Sequence, residues 1–307
     1  PIWNRPNHLK SHTPENTSAI IATFGGIMTS WKLMSRRLGL SRIKSALDVG
    51  CGVGHWGQIL STVLPLDVQF TGVDREEEWV AQATLKASQL GLSSRFSYLR
   101  GDVNLLPFAD ATFDLVTCQT VLIHIKDPKH ALSEMKRVLK PGGTLLAVEP
   151  NNLVQHAVMS SLNQEVSTAD LADLFRFKLI CERGKEALGL GNISLGDLVP
   201  GYFADLGLKE IQVYISDKAV PMFPPYETNE QKVSLKQSLE WNDREFWTWS
   251  KEETKKYFLG GGGSSNDFDR LWRIATQDDG TFKKALLNRT YHTAGGSMMY
   301  LISGLKT

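Results

Sequence analysis

From Ser45 to Val148, short apolar runs alternate with stretches in which apolar residues return every three or four positions. That is the pattern of βαβ units feeding a mostly parallel sheet. The runs Ser45–Val49, Phe70–Val73, Phe96–Arg100, Phe113–Cys118 and Thr144–Val148 are predicted strands. Between the second and third, Glu76–Leu90 sets Trp79, Ala83, Leu85, Ala87 and Leu90 on one helical face and stops at Gly91, a residue suited to a helix C-terminus. Another helix is predicted to start at Pro128, whose fixed φ suits a first turn, and to close before Pro141-Gly142-Gly143.

After Asn151 the periodicity is helical, and strand-like runs return only at Glu210–Ile215 and Ser297–Ser303, which read as the last strands of the same sheet. The helical stretch before the last strand holds Trp241, Trp247, Trp249 and Trp272, half of the chain's 8 tryptophans. Large aromatics mostly build cores, so packing of this insertion onto the sheet is the first expectation, and a share in a substrate pocket is the second. The run Gly260-Gly261-Gly262-Gly263 followed by Ser264 and Asp267 reads as a flexible turn entering a capped helix; a lid hinge and a linker are the other readings.

The 307 residues are 42% hydrophobic and 22% charged, which excludes a disordered or fibrous chain. Lysine plus arginine number 34 against 33 aspartate plus glutamate, so no bulk charge draws the chain to nucleic acid, and no nucleic-acid partner is expected. Arg36, Arg37, Arg42 and Lys44 cluster before the first strand, where a solvated helix face accounts for them. Cys51, Cys118 and Cys181 are odd in number and far apart, which suggests reduced thiols and a cytoplasmic setting. No apolar run approaches the roughly 20 residues of a membrane span, and the first residues lack a secretory apolar region, although a start without methionine leaves room for trimming.

The chemistry concentrates in Asp48-Val49-Gly50-Cys51-Gly52-Val53-Gly54-His55-Trp56-Gly57, a strand running into a glycine turn and then a helix. Glycines at the first strand–helix turn let a ligand reach the main chain at the carboxyl end of the strand. Gly52-x-Gly54-x-x-Gly57 also satisfies the dinucleotide pattern, which is weak evidence by itself. Three acids point elsewhere. Asp48 stands at the mouth of the turn, where it repels a pyrophosphate and welcomes a cation. Asp74, with Arg75 beside it, ends the second strand, where a carboxylate can accept both hydroxyls of a ribose. Asp102, followed by Val103, ends the third, within reach of a purine amine. Taken singly, Asp48 can serve as a strand-end acceptor of backbone N–H groups and Asp74 as a helix cap.

These residues resemble the class I S-adenosylmethionine-dependent methyltransferases, in the branch of the ubiquinone and menaquinone C-methyltransferases and small-molecule methylases. Asp48-x-Gly50-x-Gly52-x-Gly54 is similar to the family's first motif, Asp74 to its ribose acid and Gly101-Asp102 to its adenine-side acid. Phe113–Cys118 with Val121-Leu122-Ile123-His124 resembles the fourth-strand motif, and Leu139–Leu145 the turn into strand five. The resemblance covers roughly residues 43–150. It implies an α/β, Rossmann-like fold: a seven-stranded, mostly parallel sheet with an antiparallel last strand, plus helical insertions forming a substrate cap. It also implies S-adenosylmethionine as cofactor, with Gly50, Cys51 and Gly52 on its methionine part, Asp74 on ribose, Asp102 and Val103 beside adenine, and Gln119, just past strand four, near the sulfonium.

The expected organisation is a helical segment over the cofactor site at 1–42, the cofactor-binding core at 43–150, a helical insertion at 151–205, the sixth-strand region at 206–225, a helical cap at 226–294 and the last strand at 295–307. The expected activity is methyl transfer to a small, partly apolar acceptor. The alternatives are a cofactor-binding regulatory module without turnover and a nicotinamide-dependent oxidoreductase. His124 is a candidate general base, although packing or ordering of the loop is the commoner role of such a histidine; His292 is a weaker candidate. No metal site is expected, since His124 and His130 lack Cys or carboxylate companions. The chain also lacks the Gly-x-Ser-x-Gly elbow of serine hydrolases and a Gly-Lys-Ser/Thr phosphate loop.

Overall fold

A computed structural model describes residues 27–216, 219, 221–276, 280–296 and 298–307. Most of the expected N-terminal segment, and Ser297 at the start of the last predicted strand, lie outside the described residues. Seven strands form one sheet: β1 (Ser45–Val49), β2 (Gln69–Asp74), β3 (Phe96–Arg100), β4 (Phe113–Gln119), β5 (Leu139–Asn151), β6 (Lys209–Ile215) and β7 (Met298–Leu305), in the order β3-β2-β1-β4-β5-β7-β6. The first five run parallel, and β7 lies antiparallel between β5 and β6. The expected seven-stranded sheet with an antiparallel last strand is what forms.

Both faces of the sheet are covered, which explains the nearly unbroken apolar runs of its central strands. Leu47, Val49, Val116, Cys118, Leu145 and Ala147 face one core, shared with α4 (Pro128–Val138) and α6 (Val199–Asp205). Ala46, Leu115, Leu146 and Val148 face the other, against α1 (Ile27–Arg37), α2 (His55–Ser61) and α3 (Glu77–Gln89).

Three local expectations need correction. In α3 the buried stripe is Val80, Ala83 and Ala87, whereas Leu85 and Leu90 are 60% and 55% exposed. Positions 80, 83 and 87 share the face turned to the sheet, and residue 85 points away from it. Strand β5 starts at Leu139, so Pro141-Gly142-Gly143 lies within it as an irregularity; Gly142 donates its N–H to Lys306 O at 2.6 Å, which continues the pairing with β7. Gln119 is the last residue of β4, not a residue beyond it.

The helical insertions build a core of their own. Phe177 and Cys181 of α5 (Thr168–Ala187), Tyr257 and Phe258 of α8 (Lys251–Gly260), and Phe268, Leu271 and Trp272 of α9 (Ser265–Thr276) are buried together, with Trp247 and Trp249 packed against them. Trp247, Trp249 and Trp272 therefore pack helices of the insertions on one another, not the insertion on the sheet. Helices α5 and α8 approach so closely that a Cβ on Gly184 would fall on the Tyr257 carbonyl and one on Gly261 on the Ile180 carbonyl, while the chain after α8 folds back so that a Cβ on Gly263 would fall in the ring of Phe258. The glycine run is thus a packed turn, and Ser264 Oγ caps α9 by accepting the Asp267 N–H at 3.2 Å. The remaining helices of this region, α7 (Asn229–Asp243) and α10 (Thr281–Leu287), enclose a small cluster around Met222, Tyr226 and Leu286. Among the described residues no helix is long and apolar enough to cross a membrane.

Candidate functional site

The parallel strands bring their carboxyl ends to one edge, where ligands of open α/β sheets bind on either side of the switch in strand order. Here that switch falls between β1 and β4. The glycine turn leaves β1 at this point. Gly50 and Cys51 both donate their N–H to Val73 O, at 2.7 and 3.0 Å, which ties the turn to the end of β2. Gly50 has φ +68, and a Cβ there would lie 2.5 Å from the Val121 side chain, so the turn touches the segment after β4 with no room for a side chain. Gly52 has φ +51 and faces open space, as a turn that receives a ligand requires.

The acids divide into two kinds. Asp74 is half-buried; its Oδ2 accepts the Gly52 N–H at 2.9 Å and its Oδ1 accepts the Glu76 N–H at 3.0 Å. Glu76 is the residue flanking α3, so Asp74 closes a short turn ahead of the helix and does not cap it. Asp48 lies under the turn, only 3% exposed, with Oδ2 accepting the Gly57 N–H at 3.1 Å and Oδ1 unpartnered. Burial pushes its carboxyl up to about 7, with the Gly57 hydrogen bond opposing and the nearby Asp74 charge adding to the rise.

Asp102 is exposed beyond β3, and its Oδ1 accepts both the backbone and side-chain N–H of Asn104 at 2.8 Å. Val103 packs against the main core. Arg75 is exposed and pairs with Glu76 at 3.1 Å. Cys51 is buried with its thiol pushed well up by desolvation, which makes it a packing group and not a nucleophile. His124 is exposed on the 3-10 turn Leu122–His124. The structure thus brings Gly50, Cys51, Gly52 and Asp74 into one bonded unit over Asp48. Gln119 stands at the end of the neighbouring strand, and Asp102, Val103 and His124 lie on separate loops.

Two residues outside the sequence reading shape this edge. Glu149, wholly buried near the end of β5, accepts the N–H groups of Val121 and Leu122 on Oε1 at 3.0 and 2.9 Å and leaves Oε2 unpartnered. Desolvation pushes its carboxyl up to about 7 against those hydrogen bonds. An acid at a strand's carboxyl end, the signal that exposed Asp74 and Asp102, was available for it too. Tyr98 lies beneath the turn, where a Cβ on Gly54 would come within 2.5 Å of its hydroxyl. On the same edge, above β5, β7 and β6, a cavity of about 370 Å³ is lined by Met159, Gln164, Met222, Phe223, His292 and Thr293, among others. Its size suits a small organic molecule.

Five N–H groups of this turn are bonded inside the protein: Gly50 and Cys51 to Val73, Gly52 to Asp74, Gly54 to Cys51 and Gly57 to Asp48. A dinucleotide fold uses such donors for a pyrophosphate, and the Asp74 carboxylate beside them opposes its charge.

Residues 47–147 match the family described as a methyltransferase domain. A demethylmenaquinone methyltransferase from Bacillus cytotoxicus is 38% identical over 104 residues, covering 34% of this chain and 44% of that protein. An uncharacterized 37.1 kDa protein from a transposon of Streptomyces fradiae is 33% identical over 146 residues, or 47% of this chain and 41% of that protein. The chain therefore spans less than half the length of these relatives. A solved structure assigned as a methyltransferase, from Bacillus halodurans, has the same fold with a TM-score of 0.50 and 17% identity, covering 92% of this chain and 99% of that one. The glycine turn, the strand-end acids Asp48, Asp74 and Asp102 and the switch in strand order thus fall within the stretch 47–147 that is similar to a methyltransferase domain.

Proposed function

We propose that the chain transfers a methyl group from S-adenosylmethionine to a small, partly apolar acceptor held under its helical cap. The observation that carries this reading is the pairing of Asp74 with Gly52: a half-exposed carboxylate and an open glycine face side by side at the switch point. Asp74 would hold the ribose with Arg75 at its side, Asp102 and Val103 would flank the adenine, and Gly50, Cys51 and Gly52 would receive the methionine part over Asp48. Gln119 would stand nearest the sulfonium. The near-neutral balance of 34 basic and 33 acidic residues supports a small acceptor over a polyanionic one.

When bound, S-adenosylmethionine supplies a methyl group already made electrophilic by its sulfonium. The chain's own residues then have to orient and to exclude water. Alignment contributes roughly 7–11 kcal/mol through effective concentration, against roughly 100- to 10,000-fold from a single general base. That balance makes a base such as His124 dispensable. The insertions at 151–205 and 226–294 act as the cap, and the cavity beside Met159, Met222 and Phe223 gives the acceptor an apolar wall with polar contacts from Gln164 and His292. Three cysteines without a disulfide fit a reducing compartment such as the cytoplasm.

Calorimetric titration with S-adenosylhomocysteine and, separately, with reduced nicotinamide dinucleotide tests the reading. Micromolar binding of the first and none of the second is expected; the reverse result removes it.

A further inference from the structure

The segment Val121–His124 is held from three sides. From below, Glu149 Oε1 accepts the Val121 and Leu122 N–H groups at 3.0 and 2.9 Å. From the cofactor turn, Gly50 leaves no space for a Cβ beside the Val121 methyls, at 2.5 and 2.9 Å. From the cap, Lys185 near the end of α5 is 5% exposed, and its ammonium donates to Ile123 O at 3.4 Å, to Leu190 O, and to Gly191 O at 3.4 Å. Gly191 presses on the same segment, since a Cβ there would stand 2.8 Å from the His124 carbonyl carbon. A buried ammonium set among carbonyl oxygens is costly to desolvate, and nothing in local helix formation calls for it.

We propose that Lys185 is a positioning residue that couples the cap to the cofactor turn through Val121–Ile123. This inference rests on the cofactor reading above. Lys185 fixes the Ile123 carbonyl, Glu149 fixes the two N–H groups before it, and Val121 is thereby held against Gly50, so that the turn keeps the shape that receives the cofactor. With the tie cut, the segment and the turn sample other arrangements, and apparent affinity falls by the fraction of molecules still competent. Coupling of this kind is reciprocal, so a bound cofactor in turn secures the end of α5 and the cap above it.

Lys178 provides the control. It lies on the same helix, is 1% exposed, and donates to Thr248 Oγ1 at 2.9 Å, with its ammonium 4.4 and 5.4 Å from the Trp249 and Trp247 ring centres. It holds the cap's own core and makes no bond to Val121–His124. Full-length Lys185→Met, Lys178→Met and Val121→Ala proteins are titrated with S-adenosylhomocysteine, with circular dichroism and Tm recorded on each. The expected result is a Kd at least tenfold higher for Lys185→Met, a Tm loss with a Kd within twofold of wild type for Lys178→Met, and a Kd at least fivefold higher for Val121→Ala. Amide exchange at Val121 and Leu122 should slow on ligand binding in the wild type and be faster in Lys185→Met. A Lys185→Met Kd within twofold of wild type, or equal losses for the two lysine variants, overturns the inference. If Lys185→Met does not fold, an unchanged Kd for Val121→Ala overturns it. A wild type that binds no S-adenosylhomocysteine would instead remove the cofactor reading itself.

Discussion

The carboxylate of Asp74 closes the glycine turn: its Oδ2 accepts the Gly52 N–H at 2.9 Å while its Oδ1 holds the Glu76 N–H at 3.0 Å. One side chain at the end of β2 therefore sets the shape of a loop that begins at the end of β1. Removing it takes away the shape of the turn and the acceptor for a ribose together. Asp74→Ala should weaken S-adenosylhomocysteine binding about 100-fold, near 2.7 kcal/mol, whereas His124→Ala should change it less than threefold. Equal losses in calorimetric titration would show that the site is misassigned.

Gly50 and Gly39 share a left-handed backbone, with φ +68 and +63, but differ in surroundings. A Cβ on Gly39 meets nothing within 4 Å, whereas one on Gly50 would lie 2.5 Å from Val121. Gly39→Ala should cost about 1–2 kcal/mol of stability from backbone strain alone and leave ligand binding intact. Gly50→Ala should cost more and abolish binding. Chemical denaturation with parallel titrations checks both.

Glu149 and Asp48 are buried carboxyls raised to about 7. A raised carboxyl binds its proton more tightly in the folded chain than in the unfolded one, so between about pH 4.5 and 7 the native state holds more protons and stability falls as pH rises. For Glu149 the cost of ionisation is on the order of 3 kcal/mol. Glu149→Gln keeps an oxygen for the Val121 and Leu122 N–H groups and cannot ionise. The variant should gain stability over wild type as pH climbs from 5 to 8, with a shallower slope, part of which remains because Asp48 titrates in the same direction. Urea midpoints across that range measure it; parallel slopes would rule out the buried carboxylate as the cause.

Gly184 sits where α5 meets α8, with the Tyr257 carbonyl in the place a Cβ would take. Gly184→Ala should force these helices apart and lower stability by about 2–4 kcal/mol, with a red shift of the fluorescence from Trp247, Trp249 and Trp272. Gly201 in α6 has nothing within 4 Å of its Cβ position, and Gly201→Ala should stabilise by about 0.5–1 kcal/mol.

Period and punctuation made the sheet legible before any coordinates. The core strands are apolar because both faces are covered, and the glycine turn with its strand-end acids could be located because each is a local pattern of a few residues. The same reasoning misjudged Leu85 and Leu90, since an apolar residue in a helix says nothing of which way the sheet lies.

By itself, then, the chain's order of residues determined a mostly parallel sheet and the glycine turn with Asp48 and Asp74 at its carboxyl edge. Only the tertiary structure decided that Trp247, Trp249 and Trp272 join a separate core among the helical insertions, that Gly260–Gly263 is a packed turn, and that Glu149 and Lys185 grip Val121–Ile123 from opposite sides. These features join residues 28 to 91 positions apart, counting Glu149 with Val121, Lys185 with Ile123, Gly261 with Ile180 and Phe177 with Phe268. No local periodicity carries such contacts, because they come from the packing of whole elements once the sheet has brought them together.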